Sequence, residues 1–458
     1  MPEPTNPLQS PFDGYVLVGA IEDKANHYGY IPRVFISADG KTFNQFEYGG
    51  INSPDIGIWR IIYGAGVFVG TAGYKGGVYG SFDGQNWSQG SFSETLLCTK
   101  EFADVVYGDG CFYGQSSILL YRSDFKDKSP LDTSSLSEYL GFKWYRDYNG
   151  TGGGTIYYLN NRFISIDFVS QVLYTINKGD TWVRTESPLP IQFTYQGNII
   201  FLHSAGIDYS GRSLMVYGNG VYLIFSGRYG VIDTIGNKLD TSLYGWVYRS
   251  ANLKDWSLDV FGANIDGAPK YGYVFDVVFF NKKFMVLISD GNPATPLPNN
   301  LKTVSGMLVS TDGASWSYQS IVLKSASNRE PTKFGLVNGR LFILLNNYHD
   351  YSIKSVIAFS VDGINWEENE ISNAIRVADV TFGTIDQKAL PLPCDYGSPP
   401  PPPPPPRRCR YCCCLSTCPP PPPPRWRCTP PPQRPRRARQ LAAVAAAAGV
   451  AQLPGGRF

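Results

Sequence analysis

An all-β fold made of repeated four-stranded units is what the sequence predicts, on three observations. A turn motif built on Asp or Asn recurs seven times, a hairpin motif recurs six times, and the composition suits both. Among 458 residues there are 48 Gly and 30 Tyr but only 4 Met and 3 His, with 43% hydrophobic and 14% aromatic residues. Such a chain has material for a core and leans towards strands joined by tight turns.

The turn motif is clearest in "ISADGKTF" (Ile36–Phe43), "GSFDGQNW" (Gly80–Trp87), "VSTDGASW" (Val309–Trp316) and "FSVDGINW" (Phe359–Trp366). "TINKGDTW" (Thr175–Trp182) has Asn177 at the Asp position, and "SANLKDW" (Ser250–Trp256) and "SDFKDK" (Ser123–Lys128) are degenerate copies. The hydroxyl residues Ser37, Ser81, Ser123, Thr175, Ser250, Ser310 and Ser360 are spaced by 44, 42, 52, 75, 60 and 50 residues. That is the length of one four-stranded blade with variable loops.

Hairpins interleave with these turns. "IIYGAGVFVG" (Ile61–Gly70), "VVYGDGCFYG" (Val105–Gly114), "IYYLNNRFIS" (Ile156–Ser165), "MVYGNGVYLI" (Met215–Ile224), "VFFNKKFMVL" (Val278–Leu287) and "GLVNGRLFIL" (Gly335–Leu344) each set two β-rich runs around a short turn. The seventh hairpin is split: "VADVTFG" (Val377–Gly383) lacks a second strand and "GYVLVGA" (Gly14–Ala20) lacks a first. Pairing them closes a ring and removes open sheet edges. The fold class predicted is therefore a seven-bladed β-propeller closed by its N- and C-terminal strands, with six or eight blades as alternatives. Residues 1–13 read as an N-terminal arm, 14–386 as the propeller and 387–458 as a low-complexity tail.

"TINKGDTW" resembles the Asp-box, the sialidase-type (BNR) repeat of Ser/Thr-x-Asp-x-Gly-x-Thr-Trp, apart from Asn177, and the shorter "SxDGxxW" form is similar to the repeat of many bacterial and phage propellers. The resemblance covers about residues 11–386 and implies the fold; Asp-box propellers serve as hydrolases, assembly factors, sorting receptors and viral proteins alike.

Spacing indicates what the repeated Asp does. Asp39, Asp83, Asp312 and Asp362 each precede a Gly between two strands. A carboxylate there can accept backbone N–H bonds from the residues just ahead, while the Gly takes the left-handed conformation. Asn177 and Asn252 can do the same through an amide oxygen, which fits a turn and fits a metal ligand poorly. These six residues are expected to be structural turn formers. No catalytic residue, metal site or cofactor is expected: His27, His203 and His349 lie far apart, and "NGTGGGT" (Asn149–Thr155) lacks the Lys of a phosphate loop.

Function is expected on the opposite face, where strand 2–3 loops and blade-to-blade segments lie. These include Ala20–Pro32, Lys126–Gly154, Arg184–Arg212, Ser226–Trp246, Asp290–Ser305 and Asn346–Lys354, and they are rich in Tyr, Trp, Asn, Asp and Arg. Trp144, Tyr145, Arg146, Tyr229, Tyr348 and Tyr351 are the ligand-binding candidates, for a glycan or a protein partner. The sialidases implied by the resemblance use an arginine triad, a Tyr–Glu pair and an Asp, with an Arg-Ile-Pro motif. Here "YIPRVF" (Tyr30–Phe35) reverses that order, and Arg33, Arg60, Arg162, Arg212 and Arg249 show no triad spacing.

Charge is split along the chain. Residues 1–385 carry 29 Lys+Arg and 36 Asp+Glu, a net of −7, whereas residues 386–458 carry 11 and 2, a net of +9. The tail holds seven of the 9 Cys and runs of Pro, Cys and Ala, with no strand pattern. It is expected to be disordered or to arise from a coding artefact. Cys98 and Cys111 in the body read as buried thiols. Neither a Sec-type signal peptide nor a membrane-spanning helix is expected, because "MPEPTNPLQSPFDGYVLVGA" has no basic region followed by an apolar core and no run of 18 apolar residues occurs. The reading is a non-enzymatic binding or structural propeller, a phage tail or virion component or a surface adhesin, located on a virion or cell surface. The alternatives are a sialidase-like glycoside hydrolase and an assembly or scaffold factor. Nucleic acid is not an expected partner.

Overall fold

The computed structural model describes residues 11–386 apart from 24–28, 49–56, 73–76, 90, 93–101, 117–119, 124–142, 149–151, 168–170, 177–180, 191, 196–197, 202–213, 227–244, 263–264, 270–271, 291–303 and 349. Cys98, Asn177, Tyr229, the three histidines and the tail lie outside the described residues. The chain divides into two units, Met1–Tyr396 and Gly397–Phe458, and every described residue belongs to the first.

In chain order the strands are β1 (Phe12–Asp23), β2 (Gly29–Ser37) and β3 (Asn44–Phe46), then β4 (Ile58–Gly64), β5 (Val67–Ala72), β6 (Val78–Ser81) and β7 (Ser88–Gln89). Next come β8 (Ser91–Phe92), β9 (Phe102–Gly108), β10 (Cys111–Ser116), β11 (Leu120–Ser123) and β12 (Lys143–Tyr148), then β13 (Gly152–Leu159), β14 (Arg162–Asp167), β15 (Val172–Ile176) and β16 (Thr181–Arg184). They are followed by β17 (Gln192–Tyr195), β18 (Asn198–Phe201), β19 (Leu214–Gly218), β20 (Val221–Ser226), β21 (Gly245–Ser250) and β22 (Ser257–Phe261). The last are β23 (Gly272–Phe280), β24 (Lys283–Asp290), β25 (Val304–Ser310), β26 (Ser317–Ser320), β27 (Glu330–Val337), β28 (Arg340–Asn346), β29 (Val356–Ser360), β30 (Glu367–Glu370) and β31 (Ala374–Ile385).

The molecule is an all-β β-propeller. Six sheets are four-stranded up-and-down blades: β4–β7, β13–β16, β19–β22, β23–β26, β27–β30, and the joint sheet β3-β2-β1-β31. The innermost strands touch in the cyclic order β4, β9, β13, β19, β23, β27, β31 and back to β4. Closure is by β1 against β31, antiparallel from Phe12↔Ile385 to Ile21↔Ala374.

The expected count of seven four-stranded blades is corrected to six. Where the degenerate Ser123 copy stands, the sheet has five strands, β9 to β12 in up-and-down order with β8 added parallel to β12. "SDFKDK" lacks the Gly and the aromatic residue that tighten the other turns, so β11 reaches β12 only across residues 124–142. Residues 184–212, expected as a connection, contain the separate ribbon β17–β18. Residues 20–32 are largely strand, since β1 and β2 pair as far as Asp23↔Gly29.

Local chemistry explains the repeat. All six complete hairpins turn on two residues that both have positive φ: Ala65-Gly66, Asp109-Gly110, Asn160-Asn161, Asn219-Gly220, Asn281-Lys282 and Asn338-Gly339. That is the type I′ geometry that matches strand twist. Second and third strands are mostly buried among the described residues, and entirely so in β5 and β29; they pack between neighbouring blades, where Ile164 and Tyr174 meet Ile224 and Tyr248 in one cluster. The blade seams are closer still near the end of the innermost strand. A Cβ on Gly64, Gly108, Gly218 or Gly383 would lie 2.2, 2.3, 2.0 or 2.2 Å from the ring of Tyr107, Tyr158, Phe279 or Tyr63 of the next sheet.

Candidate functional site

Antiparallel order puts the 1–2 hairpin turns and the 3–4 Asp-type turns on one face and the 2–3 loops on the other. On the turn face, Asp39 Oδ1 accepts N–H bonds from Lys41 (2.8 Å) and Thr42 (3.0 Å) and the Ser37 hydroxyl (2.9 Å), while Gly40 N donates to Ser37 Oγ. Asp83, Asp312 and Asp362 repeat this pattern. Asn252 does so through its amide oxygen, with Lys254 and Asp255 as donors at 2.9 Å. The indoles of Trp87, Trp256 and Trp366 fold back to donate to the carbonyls of Gly84, Leu253 and Gly363. The N–H groups of Thr42 and Lys41 hold the Asp39 carboxyl down to about 2. A surface pocket of 570 Å³ lies beside the Asn252 turn, lined in part by Arg249, Asp255 and Trp256.

The sequence-derived ligand candidates separate. Trp144, Tyr145 and Arg146, expected on a loop, lie on β12 in register with Ser123, Arg122 and Tyr121. Tyr348 and Tyr351 follow β28 on the loop face; Tyr348 is 40% exposed, and the Tyr351 carbonyl accepts from Lys354 Nζ. Of the arginines weighed as a triad, Arg33 pairs with Glu47, Arg162 lies over Tyr174 and Arg60 faces the central channel.

The channel holds the largest concentration of buried charge among the described residues. Asp276, Lys333, Asp379, Arg60 and Asp104 occupy the same place on five consecutive innermost strands, β23, β27, β31, β4 and β9. Their charges alternate in sign around the ring. Lys333 Nζ lies 2.6 Å from Asp379 Oδ1, Arg60 Nη1 3.9 Å from Asp379 Oδ2, and Arg60 Nε 3.5 Å from Asp104 Oδ1. The two remaining equivalent places, on β13 and β19, hold Thr155 and Leu214.

A register shift places each of the five. It skips Phe275, Thr332, Ala378, Trp59 and Ala103, the residue just before each charge. Bulges re-aim side chains and leave an N–H without a ladder partner. The carboxylates accept those groups: Asp379 takes Val380 N (2.8 Å) and Ile61 N of the next blade (3.2 Å), and Asp276 takes Val277 N (2.8 Å) and Phe334 N (3.4 Å). Burial pushes the Asp276 carboxyl up and the Lys333 ammonium down, while Asp104 and Asp379 hold the Arg60 guanidinium firmly charged. The signal for this arc was present in the sequence as "ADVVYG", "FDVVFF" and "ADVTFG", three hairpin entries sharing Asp-Val.

At the loop-face end of the channel stands a second group. Arg376 Cζ lies 4.3 Å from the Trp59 ring centroid and 5.3 Å from that of Tyr348. Its position is fixed from both sides. Asn346, fully buried, bonds both backbone groups of Val377, with Nδ2 donating to the carbonyl (2.9 Å) and Oδ1 accepting from the N–H (3.0 Å). Gly19 lets β1 approach so closely that a Cβ there would lie 2.3 Å from the Arg376 carbonyl. Among the described residues no group of three His, Cys, Asp or Glu could hold a metal ion, and no helix is long and apolar enough to cross a membrane.

No family model and no curated protein matches the chain. Solved structures that it is similar to include YCF48 from Cyanidioschyzon merolae, at 13% identity and TM-score 0.40, covering 75% of this chain and 94% of that one. Virginiamycin B lyase from Staphylococcus aureus matches at 9% identity and TM-score 0.41, covering 72% and 96%. The β-propeller domain of the Trilobed protease from Pyrococcus furiosus matches at 8% identity and TM-score 0.41, covering 79% and 96%.

Proposed function

We propose that this chain is a non-enzymatic binding propeller that presents its loop face, around the mouth of the central channel, to a protein partner. The observation that carries this is the Arg376 group, an arginine set between two aromatic rings from neighbouring blades at the channel mouth. Arginine and aromatic residues of this kind anchor protein interfaces. The charged arc beneath supports binding over hydrolysis. Its carboxylates are tied to backbone N–H groups, and Asp379 and Asp104 also to cations, which leaves the arc's pairs poorly suited to act as acid and nucleophile. In this reading the Asp-type turns are the Asp-box repeats that they resemble, and they serve the fold alone. A virion component or a surface adhesin is the finer form of the proposal.

A glycan array and a fluorogenic glycoside panel, run beside a peptide-library screen on the full chain, test it. Peptide binding without glycoside turnover is expected. Turnover of any glycoside, abolished by Asp379→Asn or Asp104→Asn, would replace the binding reading with a hydrolase.

A further inference from the structure

We propose that Arg376 is the receptor for a carboxylate of the peptide partner; this rests on the loop-face reading given above. A guanidinium is a planar, delocalised cation. Rings that flank it engage its faces, while its N–H donors point outward in the plane, where they match the two oxygens of a carboxylate. Arg376 has the flanking rings, Trp59 and Tyr348, but no carboxylate within ion-pair distance among the described residues. Several other cations of the molecule do: Arg33 has Glu47, Arg60 has Asp104 and Asp379, Lys333 has Asp379, and Arg329 has Glu370. Arg340, on the turn face, also lies over two rings, Tyr15 and Phe359, but donates to the Tyr15 hydroxyl.

The nearby acid along the same strand does not compete. Asp379 lies three residues further on β31, its side chain is 3% exposed, and Lys333 and Arg60 already neutralise it. Arg376 is also held before any ligand arrives. The Asn346 clamp on Val377, the close approach at Gly19 and the two rings fix its backbone and limit its rotamers. Pre-organisation of that kind lowers the entropy lost on binding.

A peptide acid fits better than an acidic sugar. Sugars stack on free aromatic faces, and here Trp59 and Tyr348 each turn contact area towards the guanidinium. What the site offers is charge-assisted hydrogen bonding at the channel mouth, which a Glu or Asp side chain or a free C-terminus satisfies.

The test uses a synthetic library of random hexapeptides with free C-termini, screened against the full chain. The tightest binders are remade with each Asp or Glu changed to Asn or Gln and with the C-terminus amidated. Neutralising one of these carboxylates is expected to weaken binding to the wild type about tenfold or more. The same change is expected to leave binding to Arg376→Gln unaltered, with Arg376→Lys in between. Binders indifferent to every one of their carboxylates, or equally sensitive to them in Arg376→Gln, would overturn the assignment while leaving the loop-face reading intact if Trp59→Ala still blocks them. Acidic glycans bound through Arg376 in place of peptides would overturn the peptide class. A chain that selects no peptide would remove the loop-face reading and this inference together. Tyr348→Ala, which leaves the guanidinium in place with one ring fewer, guards against misfolding and is expected to lose a smaller factor than Arg376→Gln.

Discussion

Asp83 accepts four hydrogen bonds within its own turn, from the Ser81 hydroxyl, the N–H groups of Gln85 and Asn86, and the Asn86 amide. It is also the most buried of the repeated aspartates, at 1% exposure. Replacing it by Ala leaves buried donors without acceptors, so Asp83→Ala is expected to cost about 2–3 kcal/mol in chemical denaturation. Asp83→Asn, which keeps one acceptor oxygen, should cost less than half of that. Three further copies make stability depend on pH. Backbone N–H groups hold the carboxyls of Asp39, Asp312 and Asp362 below the usual 3.8, Asp39 at about 2. A depressed carboxyl contributes stability that is complete above 3.8 and disappears as pH falls through its folded value. Thermal melts of the wild type should therefore fall more steeply between about pH 4 and pH 2 than those of a triple Asp→Asn variant, by a modest margin because these groups face solvent. These turns were legible in the sequence because their donors lie two and three residues ahead of the acceptor. The channel arc was not read, because its partners sit on other blades and only a skipped residue in each strand turns them inwards.

At the scale of elements, the hairpins were legible for a similar reason. Asn-Gly and its relatives fix a two-residue turn, and all six carry the positive φ pair that such turns need. The Ser123 unit departs where its sequence does: it has Lys126 and Ser129 where the Ser37, Ser81, Ser310 and Ser360 units have Gly and an aromatic residue, and its sheet has a fifth strand, β8. Trp144, Tyr145 and Arg146 were placed on a loop because "FKWYRDY" follows a long polar stretch, yet its aromatic run pairs as β12. Trp59 and Arg376 were passed over because neither stands in a long loop. One is a bulge residue, and the other sits near the start of the closing strand. The seams between blades rest on glycines that admit a neighbour's ring. Gly64→Ala would put a methyl 2.2 Å from the Tyr107 ring, so the seam must open; a loss of roughly 2–3 kcal/mol is expected in denaturant titrations, in the range of overpacked cores. Gly19→Ala meets backbone instead, the Arg376 carbonyl at 2.3 Å, so β1 must move off β31; a loss of stability at least as large as at Gly64 is expected, with peptide binding weakened alongside it.

For the whole molecule, the ring of innermost strands does two things at once. It closes through β1 and β31, and it brings five charges of alternating sign from five sheets into one channel. Buried ion pairs add little net stability, but breaking one leaves a charge uncompensated. Lys333→Met strands Asp379 with Arg60 as its remaining cation and removes the positive charge between Asp379 and Asp276. A loss of about 3 kcal/mol is expected in equilibrium unfolding, largely recovered when Asp379→Asn is added. The two faces divide the labour in the proposed function, with the Asp-type turns building the ring and the opposite mouth of the channel holding the partner. The most direct test of this division is to measure melting temperature and peptide affinity side by side for Asp83→Ala and Arg376→Gln. Asp83→Ala is expected to melt several degrees lower with affinity retained below its melting point, and Arg376→Gln to lose about tenfold or more in affinity at a nearly unchanged melting temperature. The reverse pairing, with binding lost at Asp83 and kept at Arg376, would contradict this division and move the site to the turn face.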